Sequence, residues 1–327
     1  MTPPLLHISN LSVTFDTDDG ALMAVDEVSL SIAPGEVVGL VGESGCGKSV
    51  TALSLLRLIP MPPGRITAGS VLFEGRDLLR LPPAELRKIR GRRIGVIFQE
   101  PMAALSPLHR VGEQLVETLQ LHHPIDTPAA EAISIDWLKR VGIPDPAARM
   151  RAYPFELSGG MLQRVMIAMT LMLEPSLIIA DEPTTALDVT IQAQVLDLLR
   201  EMKGKDASLL LITHDLGVVW EMCDRVVVMY AARVVEEGAR KAIFEAPHHP
   251  YTRALLESVV SLTGRAERLS TIEGLVPSPL AYPQGCRFAP RCKFAFERCR
   301  QEVPPLYRIG EERRSACFLA EEGEGEI

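Results

Sequence analysis

The sequence predicts an α/β fold, and three observations carry that prediction. The apolar run 37–41 is typical of a buried strand, and it is followed by a glycine-rich turn and by a segment with helical spacing at 50–56. Two further apolar runs, 177–180 and 209–212, each end in polar residues. Because open α/β sheets bind ligands at the carboxyl ends of their strands, these polar residues are candidates for a binding site.

The glycine-rich turn fits the pattern of a phosphate-binding loop, Gly-x-x-x-x-Gly-Lys-Ser. It consists of Gly42, Glu43, Ser44, Gly45, Cys46, Gly47, Lys48 and Ser49, with Val50 next in the following helix, and we expect all nine to contact a nucleotide. Glycines let successive backbone N–H groups point at phosphate oxygens, and the helix adds the positive end of its dipole. Lys48 is expected to reach the β- and γ-phosphates and Ser49 to ligate Mg²⁺. The alternative is a chance match in a glycine-containing turn.

The bulk composition narrows the class of protein. The 327 residues carry a formal net charge of −8, which disfavours a broad nucleic-acid-binding face, since phosphate backbones attract clustered Lys and Arg. No apolar run approaches the roughly 18 residues of a membrane-spanning helix, and the N-terminus does not resemble a secretory signal. With the phosphate loop, these features predict a cytosolic protein, in which the six cysteines are not expected to form disulfides.

Strand patterns continue on both sides of the loop. Residues 11–15 and 24–32 have the pattern of antiparallel strands. Phe15 stands where an aromatic ring could stack on adenine, although packing in the core explains it equally well. A later strand ends at Gln99, where ligand contacts concentrate, but a solvated strand end is the other interpretation. Residues 106–153 hold helical segments instead, which predicts a helical subdomain inserted into the sheet.

Acidic and histidine side chains follow the two later strands. Asp181 is placed to serve as the acidic ligand of a metal, and Glu182 to orient an attacking water. Two acids after a strand can also be a polar loop. His214 follows the run 209–212. A lone histidine there is more often structural, but in a nucleotide-binding fold a role at the γ-phosphate is favoured.

A second candidate anion site lies where a helix begins, at Ser158, Gly159 and Gly160. Its position shortly before the acidic pair resembles the signature motif of ATP-binding cassette (ABC) ATPases. The resemblance implies a P-loop NTPase core of the ABC ATPase type, with an antiparallel β subdomain, an inserted helical subdomain and a C-terminal extension that contains cysteines. It also implies roles for single residues: Phe15 as the adenine-stacking aromatic, Gln99 as a Mg²⁺ ligand and catalytic residue, Asp181 as a Mg²⁺ ligand, Lys48, Glu182 and His214 as catalytic residues, and Asp188 as a nucleotide-binding residue of the D-loop.

The stretches 99–107, 181–190 and 249–256 resemble the ATPase subunits of oligopeptide and dipeptide importers, a branch that includes some nickel importers. In such proteins two cassettes pack head to tail, so the signature residues complete the ATP site of the partner. The resemblance implies a second ABC ATPase subunit, expected to be a sister protein, two transmembrane permease subunits and an external substrate-binding protein. The chain would then be peripheral on the cytoplasmic face of the plasma membrane, with no nucleic-acid partner. Ala232 departs from the family, which usually has glycine in that hairpin turn.

Four cysteines lie in a Pro-rich extension, namely Cys286, Cys292, Cys299 and Cys317. Their spacing gives no Cys-x-x-Cys pair of a usual zinc site, whereas an iron–sulfur cluster tolerates varied spacing, so a cluster, zinc and free thiols all stay open. The importer branch carries a similar tail around residues 285–292 and binds a [4Fe-4S] cluster. The resemblance therefore implies that cluster here, with Zn²⁺ as the alternative. Cys46 and Cys223 are interpreted as structural.

We therefore expect an ABC nucleotide-binding core at 1–105 and 165–245, a helical subdomain with the signature motif at 106–164, and the C-terminal extension at 246–327. The predicted function is ATP hydrolysis that powers ABC-type import of di- or oligopeptides through ATP-driven dimer closure. One alternative is a non-transport ABC ATPase that acts on nucleic acid or as an assembly scaffold. The other is the ATPase of a nickel importer.

Overall fold

The computed structural model of the chain describes residues 3–184, 189–203, 207–260, 272–310 and 312–321. The strands in these ranges are β1 (Leu6–Thr17), β2 (Gly20–Ile32), β3 (Val37–Val41), β4 (Gly64–Phe73), β5 (Arg76–Asp77), β6 (Ile94–Ile97), β7 (Leu177–Asp181), β8 (Ser208–Ile212), β9 (Arg225–Tyr230), β10 (Arg233–Ala239), β11 (Tyr307–Arg308) and β12 (Arg314–Ser315). The helices are α1 (Lys48–Leu55), α2 (Pro83–Ile89), α3 (Val111–His122), α4 (Thr127–Arg140), α5 (Pro146–Arg149), α6 (Gly159–Leu171), α7 (Val189–Lys203), α8 (Leu216–Met222), α9 (Arg240–Glu245), α10 (Pro250–Val260) and α11 (Glu297–Gln301). Among the described residues, no helix combines the length and the apolar character needed to cross a bilayer.

The chain divides into two compact units. The first unit comprises Met1–Ala33, Val38–Arg80 and Thr213–Ile327, and the second comprises Pro34–Val37 and Leu81–Ile212. Each unit therefore collects segments that are distant in sequence.

An antiparallel sheet in the first unit has the strand order β2, β1, β4, β5. In β1, Leu6 lies opposite Ile32 of β2 and opposite Phe73 of β4. Leu6 and Ile8 are buried while His7 between them is exposed, as expected for a sheet that covers a core with one face. The antiparallel pair predicted from residues 11–15 and 24–32 is confirmed, with longer strands than the pattern indicated.

A second set of strands in the first unit has the order β11, β12, β10, β9, β3. β3 runs parallel to β9, with Gly39 beside Val226, and β9 forms an antiparallel hairpin with β10. The hairpin turn, Ala231 and Ala232, has φ values of 45° and 69°. Short strands from the C-terminal extension continue this set because β12 pairs with β10. The C-terminal extension thus adds strands to the edge of β10.

The second unit contains a parallel sheet with the order β8, β7, β6. Ile94 of β6 lies beside Leu177 of β7, which lies beside Ser208 of β8. Every residue of β7 and of β8 is buried, which explains their continuous apolar sequences. Helices α3 and α4 lie within the range 106–153, where the sequence predicts helical segments.

Candidate active site

The phosphate loop connects β3 to α1 in the first unit, in the predicted order of strand, turn and helix. Gly42 and Gly47 have φ values of +151° and +102°. A Cβ atom at Gly42 would lie 2.1 Å from the carbonyl oxygen of Met229, and one at Gly47 would lie 2.3 Å from that of Ala24. Both positions therefore require glycine, because of their backbone conformation and the close approach of neighbouring backbone.

The ammonium group of Lys48 lies within the loop. Its Nζ donates to the carbonyl oxygens of Gly42 at 2.8 Å and Glu43 at 2.9 Å, and it lies 3.7 Å from Sγ of Cys46. Lys48 is 6% exposed, and Cys46 is also buried. Burial raises the pKa of the Cys46 thiol. The loop therefore places a buried cation beside its own backbone, an arrangement suited to an anionic ligand.

The other sequence-predicted residues of the first unit differ in exposure. Ser44 and Gly45 are exposed, and Ser49 and Val50 are half-buried in the first turn of α1. Phe15 is half-buried on β1, where its ring lies beside Gly64. His214 is exposed just before α8, the helix whose N-terminus is capped by the carboxylate of Asp215.

The acidic pair lies at the end of β7 in the second unit. Asp181 is the last residue of the strand and is 5% exposed. Glu182 has a φ of 48°, a left-handed conformation that is uncommon for a residue other than glycine. Its N–H donates to the carbonyl oxygen of Ile212 at 2.8 Å, and its Oε2 accepts from Nε2 of Gln99 at 3.1 Å. The second unit thus brings Gln99 and Glu182 into direct contact, with strained backbone of the kind found at active sites.

The signature residues begin α6 in the same unit. The Oγ of Ser158 accepts from the N–H of Met161 at 3.3 Å, so this serine is the N-cap of the helix that the sequence predicts to begin here. Ser158 and Gly159 are exposed, and a Cβ atom at Gly159 would meet no atom within 4 Å. The N-terminus of α6 is accessible. Asp188, the remaining predicted nucleotide contact, lies outside the described residues.

The four C-terminal cysteines, Cys286, Cys292, Cys299 and Cys317, all line one small cavity of about 20 Å³ in the first unit. Burial raises the pKa of three of these thiols, at Cys286, Cys292 and Cys317, to about 12 at Cys317. In each of the three, the backbone N–H two residues further along hydrogen-bonds the thiol and lowers its pKa in part. Across the described part of the chain, no three or more His, Cys, Asp or Glu side chains converge on a point that could hold a metal ion.

Comparison with known proteins identifies the family. Residues 25–185 match the model of the ABC transporter family, and residues 235–299 match that of the oligopeptide/dipeptide transporter C-terminal region. The dipeptide transport ATP-binding protein DppD of Escherichia coli (strain K12) is 48% identical over 314 residues, which cover 96% of both chains. This chain belongs to the ABC transporter ATPases. A putative peptide import ATP-binding protein of Brucella ovis is 47% identical over 331 residues, 98% of both chains.

Solved structures agree with this assignment. A dimeric ATP-binding cassette in a post-hydrolysis state, bound to ADP and Pi, has a TM-score of 0.66 and 27% identity, over 72% of this chain and 98% of that one. The ABC ATPase fold predicted from the sequence is therefore confirmed, and the chain is an ATPase of this family. Three of the cysteines that line the cavity fall within the matched C-terminal region, and Cys317 lies beyond it.

Sequence reasoning missed two residues that contact the phosphate loop of this ABC ATPase. Tyr251 and Arg291 both bind Glu43. The stretch around Tyr251 was informative only as a feature of the importer branch. His249 was also missed: it is fully buried, its Nδ1 accepts from the N–H of Tyr251 at 3.0 Å, and burial lowers its pKa to about 4. No local pattern marks Tyr251 and Arg291, because their shared partner Glu43 is distant in sequence.

Proposed function

We propose that this ABC ATPase powers the import of dipeptides or oligopeptides across the cytoplasmic membrane. The observation that carries the proposal is the near full-length match to relatives named for dipeptide transport and peptide import, which extends through the C-terminal region. The alternatives, a nickel importer ATPase and a non-transport ATPase acting on nucleic acid, have no such support among these relatives.

The proposed assembly contains a second ABC ATPase subunit, two permease subunits and an external binding protein, with this chain peripheral on the cytoplasmic face. The accessible N-terminus of α6 supports pairing with another cassette, since Ser158, Gly159 and Gly160 would supply N–H groups to the phosphates held by the partner. In the same proposal Asp188 contributes to the shared nucleotide site. ATP-driven closure of the two cassettes would then move the permeases.

Within one cassette, the proposed nucleotide contacts are the loop Gly42–Ser49, Val50 and the adenine-stacking Phe15. Lys48 would neutralise the β- and γ-phosphates, and His214 would contact the γ-phosphate. The loop's required glycines and its buried ammonium group support these roles.

Mg²⁺ would be held by Ser49, Gln99 and Asp181, which supply the oxygen donors that this ion prefers. The amide nitrogen of Gln99 donates to Glu182, which leaves the amide oxygen for a cation. When bound, Mg²⁺ neutralises phosphate charge during transfer to water. Glu182 is the proposed base that orients the attacking water, and its contact with Gln99 joins the base to the metal ligands.

The variant Glu182→Gln tests the catalytic assignment. Without the carboxylate, the ATPase rate should fall roughly 10²- to 10⁴-fold, while ATP binding persists and the closed dimer accumulates in gel filtration with ATP. Glu174→Gln is a matched control, because Glu174 has the same φ of 48° in the same unit but is exposed. Hydrolysis by Glu182→Gln at the wild-type rate would show that another residue is the base.

Uptake of a labelled dipeptide by cells that carry the whole transporter tests the substrate class. Cells with Glu182→Gln should lose dipeptide uptake and keep nickel uptake. Loss of nickel uptake alone would assign the chain to the nickel importers. Tight ATP-dependent DNA binding by the purified chain, with no permease co-purifying, would favour the non-transport class.

For the domains, we propose a nucleotide-binding core at 1–105 and 165–245, a helical subdomain at 106–164 and an extension at 246–327. The concentration of helices α3 to α5 in the middle range supports the helical subdomain. The extension is proposed to begin just before α10.

The finer cofactor proposal is that Cys286, Cys292, Cys299 and Cys317 bind a [4Fe-4S] cluster. Two observations favour it. All four thiols line one cavity, and three accept a backbone N–H hydrogen bond, which stabilises a thiolate ligand.

Anaerobic purification with iron, sulfide and zinc analysis tests the cluster. The wild-type protein should be brown and contain about four irons per chain, as the [4Fe-4S] composition requires. Cys292→Ser should lose most of the iron, whereas Cys223→Ala, which removes a buried cysteine far from the cavity in sequence, should keep it. A colourless protein with stoichiometric zinc, or with no metal, would refute the proposal.

A further inference from the structure

An ion pair ties the second residue of the phosphate loop to the C-terminal extension. Arg291 donates from Nη1 to Oε2 of Glu43 at 2.7 Å and from Nη2 to Oε1 at 3.0 Å, a bidentate geometry. The Arg291 side chain is only 4% exposed. Its guanidinium also donates to the carbonyl oxygens of Ile272 and Glu273, both at 3.0 Å, and to Oη of Tyr230 at 3.3 Å. These contacts leave the guanidinium little freedom to move.

A tyrosine holds the backbone of the same loop residue. The N–H of Glu43 donates to Oη of Tyr251 at 2.8 Å. Tyr251 is fully buried, and its ring centroid lies 4.6 Å from that of Tyr230 and 5.5 Å from that of Phe288. Because the ring is packed on several sides, the hydroxyl group is fixed in position. Glu43 is therefore held at both its side chain and its backbone.

A third contact joins the loop to the segment that carries the first cysteine. Arg287, the residue after Cys286, donates to the carbonyl oxygen of Ala231 in the β9–β10 turn. In the same turn, the N–H of Ala232 donates to the carbonyl oxygen of Cys46 in the loop at 3.0 Å. The extension thus reaches the loop at two of its residues, directly at Glu43 and through the turn at Cys46.

The position of Glu43 also sets the position of the loop cation. Lys48 donates to the carbonyl oxygen of Glu43, the residue whose other groups are held by Arg291 and Tyr251. A phosphate site built from backbone groups binds more tightly when those groups are already oriented, because less conformational freedom is lost on binding. Fixing Glu43 therefore orients both the loop backbone and Lys48.

We propose that Arg291 and Tyr251 are positioning residues for ATP, so that the nucleotide affinity of this ATPase depends on its C-terminal extension. They act through Glu43 and do not touch the nucleotide themselves. This inference rests on the proposed nucleotide site at Gly42–Ser49. A contact that served only to stabilise the fold would change the melting temperature and leave the ATP affinity of folded molecules unchanged.

The test measures the dissociation constant for a fluorescent ATP analogue on the full-length chain, with the melting temperature of each variant recorded in parallel. Arg291→Gln and Glu43→Gln should each raise the constant about tenfold. The double variant should bind the ATP analogue about as tightly as the single variant with the lower affinity, because both substitutions break the same contact. Tyr251→Phe, which keeps the buried ring, should raise it about threefold through the lost hydrogen bond.

Steady-state kinetics of ATP hydrolysis distinguish a positioning role from a catalytic role. In Arg291→Gln the KM for ATP should rise in parallel with the dissociation constant, while kcat stays within about twofold of the wild type. Arg291→Lys, which keeps the charge but not the bidentate geometry, should give an intermediate affinity. Arg253→Gln is the matched control: it removes an exposed ion pair with Glu257 in the same extension, and should leave ATP affinity unchanged.

Two outcomes distinguish failure of this inference from failure of the proposed site. If Lys48→Ala binds ATP as tightly as the wild type, the nucleotide site itself is misplaced. If Lys48→Ala loses binding while folded Arg291→Gln and Tyr251→Phe retain wild-type affinity, the site stands and the positioning role is overturned. Tyr251→Phe keeps the core packing, so it provides a folded variant if Arg291→Gln unfolds.

Discussion

The phosphate loop and the cysteine region, residues 285–317, are both irregular segments of the first unit, but they are supported differently. The loop is held by neighbours from elsewhere in the chain, including Arg291, Tyr251 and the β9–β10 turn. The cysteine region combines long-range contacts, such as Arg291 with Glu43, with turns of its own, as in the bond from the N–H of Cys286 to the carbonyl oxygen of Cys299 at 2.8 Å. Distant substitutions should therefore disturb the loop, whereas the cysteine region should also respond to changes within itself.

Both regions contain a glycine at which an added Cβ atom would lie very close to a carbonyl oxygen. Substitution by alanine should destabilise the protein more at the loop glycine. Gly47→Ala combines a φ of +102° with a Cβ contact of 2.3 Å. It should lower the free energy of unfolding by about 3 to 4 kcal/mol and abolish ATP binding, while the iron of the proposed cluster should persist. Gly45→Ala is the control, with a φ of +77° but no atom within 4 Å, and should cost about 1 kcal/mol in urea titrations. If both variants lose the same free energy of unfolding, the close contact of the added Cβ atom at residue 47 does not contribute to the loss.

The corresponding substitution in the cysteine region is Gly285→Ala. A Cβ atom there would lie 2.4 Å from the carbonyl oxygen of Cys299, but the backbone is not left-handed. We expect a loss of about 2 kcal/mol in the free energy of unfolding and a sharp fall in the iron of the proposed cluster. ATP affinity should fall less than in Gly47→Ala. Gly310→Ala, whose nearest contact would be 3.7 Å away, should leave both iron content and stability near wild type.

The smallest expected effect lies in the turn that links the two regions. Ala232 has a φ of 69°, where an L side chain is strained and glycine is not. Ala232→Gly should therefore raise the free energy of unfolding by about 1 kcal/mol. Ala239→Gly is the control: Ala239 has a φ of −53°, so removing its side chain should slightly destabilise the protein. If both variants are less stable than the wild type, the positive φ of Ala232 does not strain the turn.

The strand, loop and helix of the phosphate loop could be predicted from the sequence because the residues that define the loop are consecutive. Gly42 to Ser49 carry their own backbone requirements, and the strand before them and the helix after them form where the apolar spacing predicts. Gln99 and Glu182, each proposed from the sequence for a different role, lie in contact because parallel strands bring their carboxyl ends to one edge. The left-handed backbone of Glu182 could not be predicted, because a glutamate gives no sign of that conformation.

The sequence did not predict the contacts that span the chain. Glu43 and Arg291 are 248 positions apart, and an arginine in a Pro-rich extension resembles any surface arginine. The pairing of β12 with β10 was missed for a similar reason, since a two-residue strand has no detectable alternation. The cysteines were recognised by residue type, but the cavity that gathers them depends on these same tertiary contacts.

The pairing of β12 with β10 has a consequence for shortened forms of the protein. A chain that ends before residue 307 would keep every proposed nucleotide residue but would leave β10 as an open sheet edge. It would also lose Arg313 and Arg314, which neutralise the buried carboxylates of Glu236 and Glu237. Such a chain should aggregate through edge-to-edge pairing, and its insolubility would then reflect the uncovered strand and not a defective ATP site.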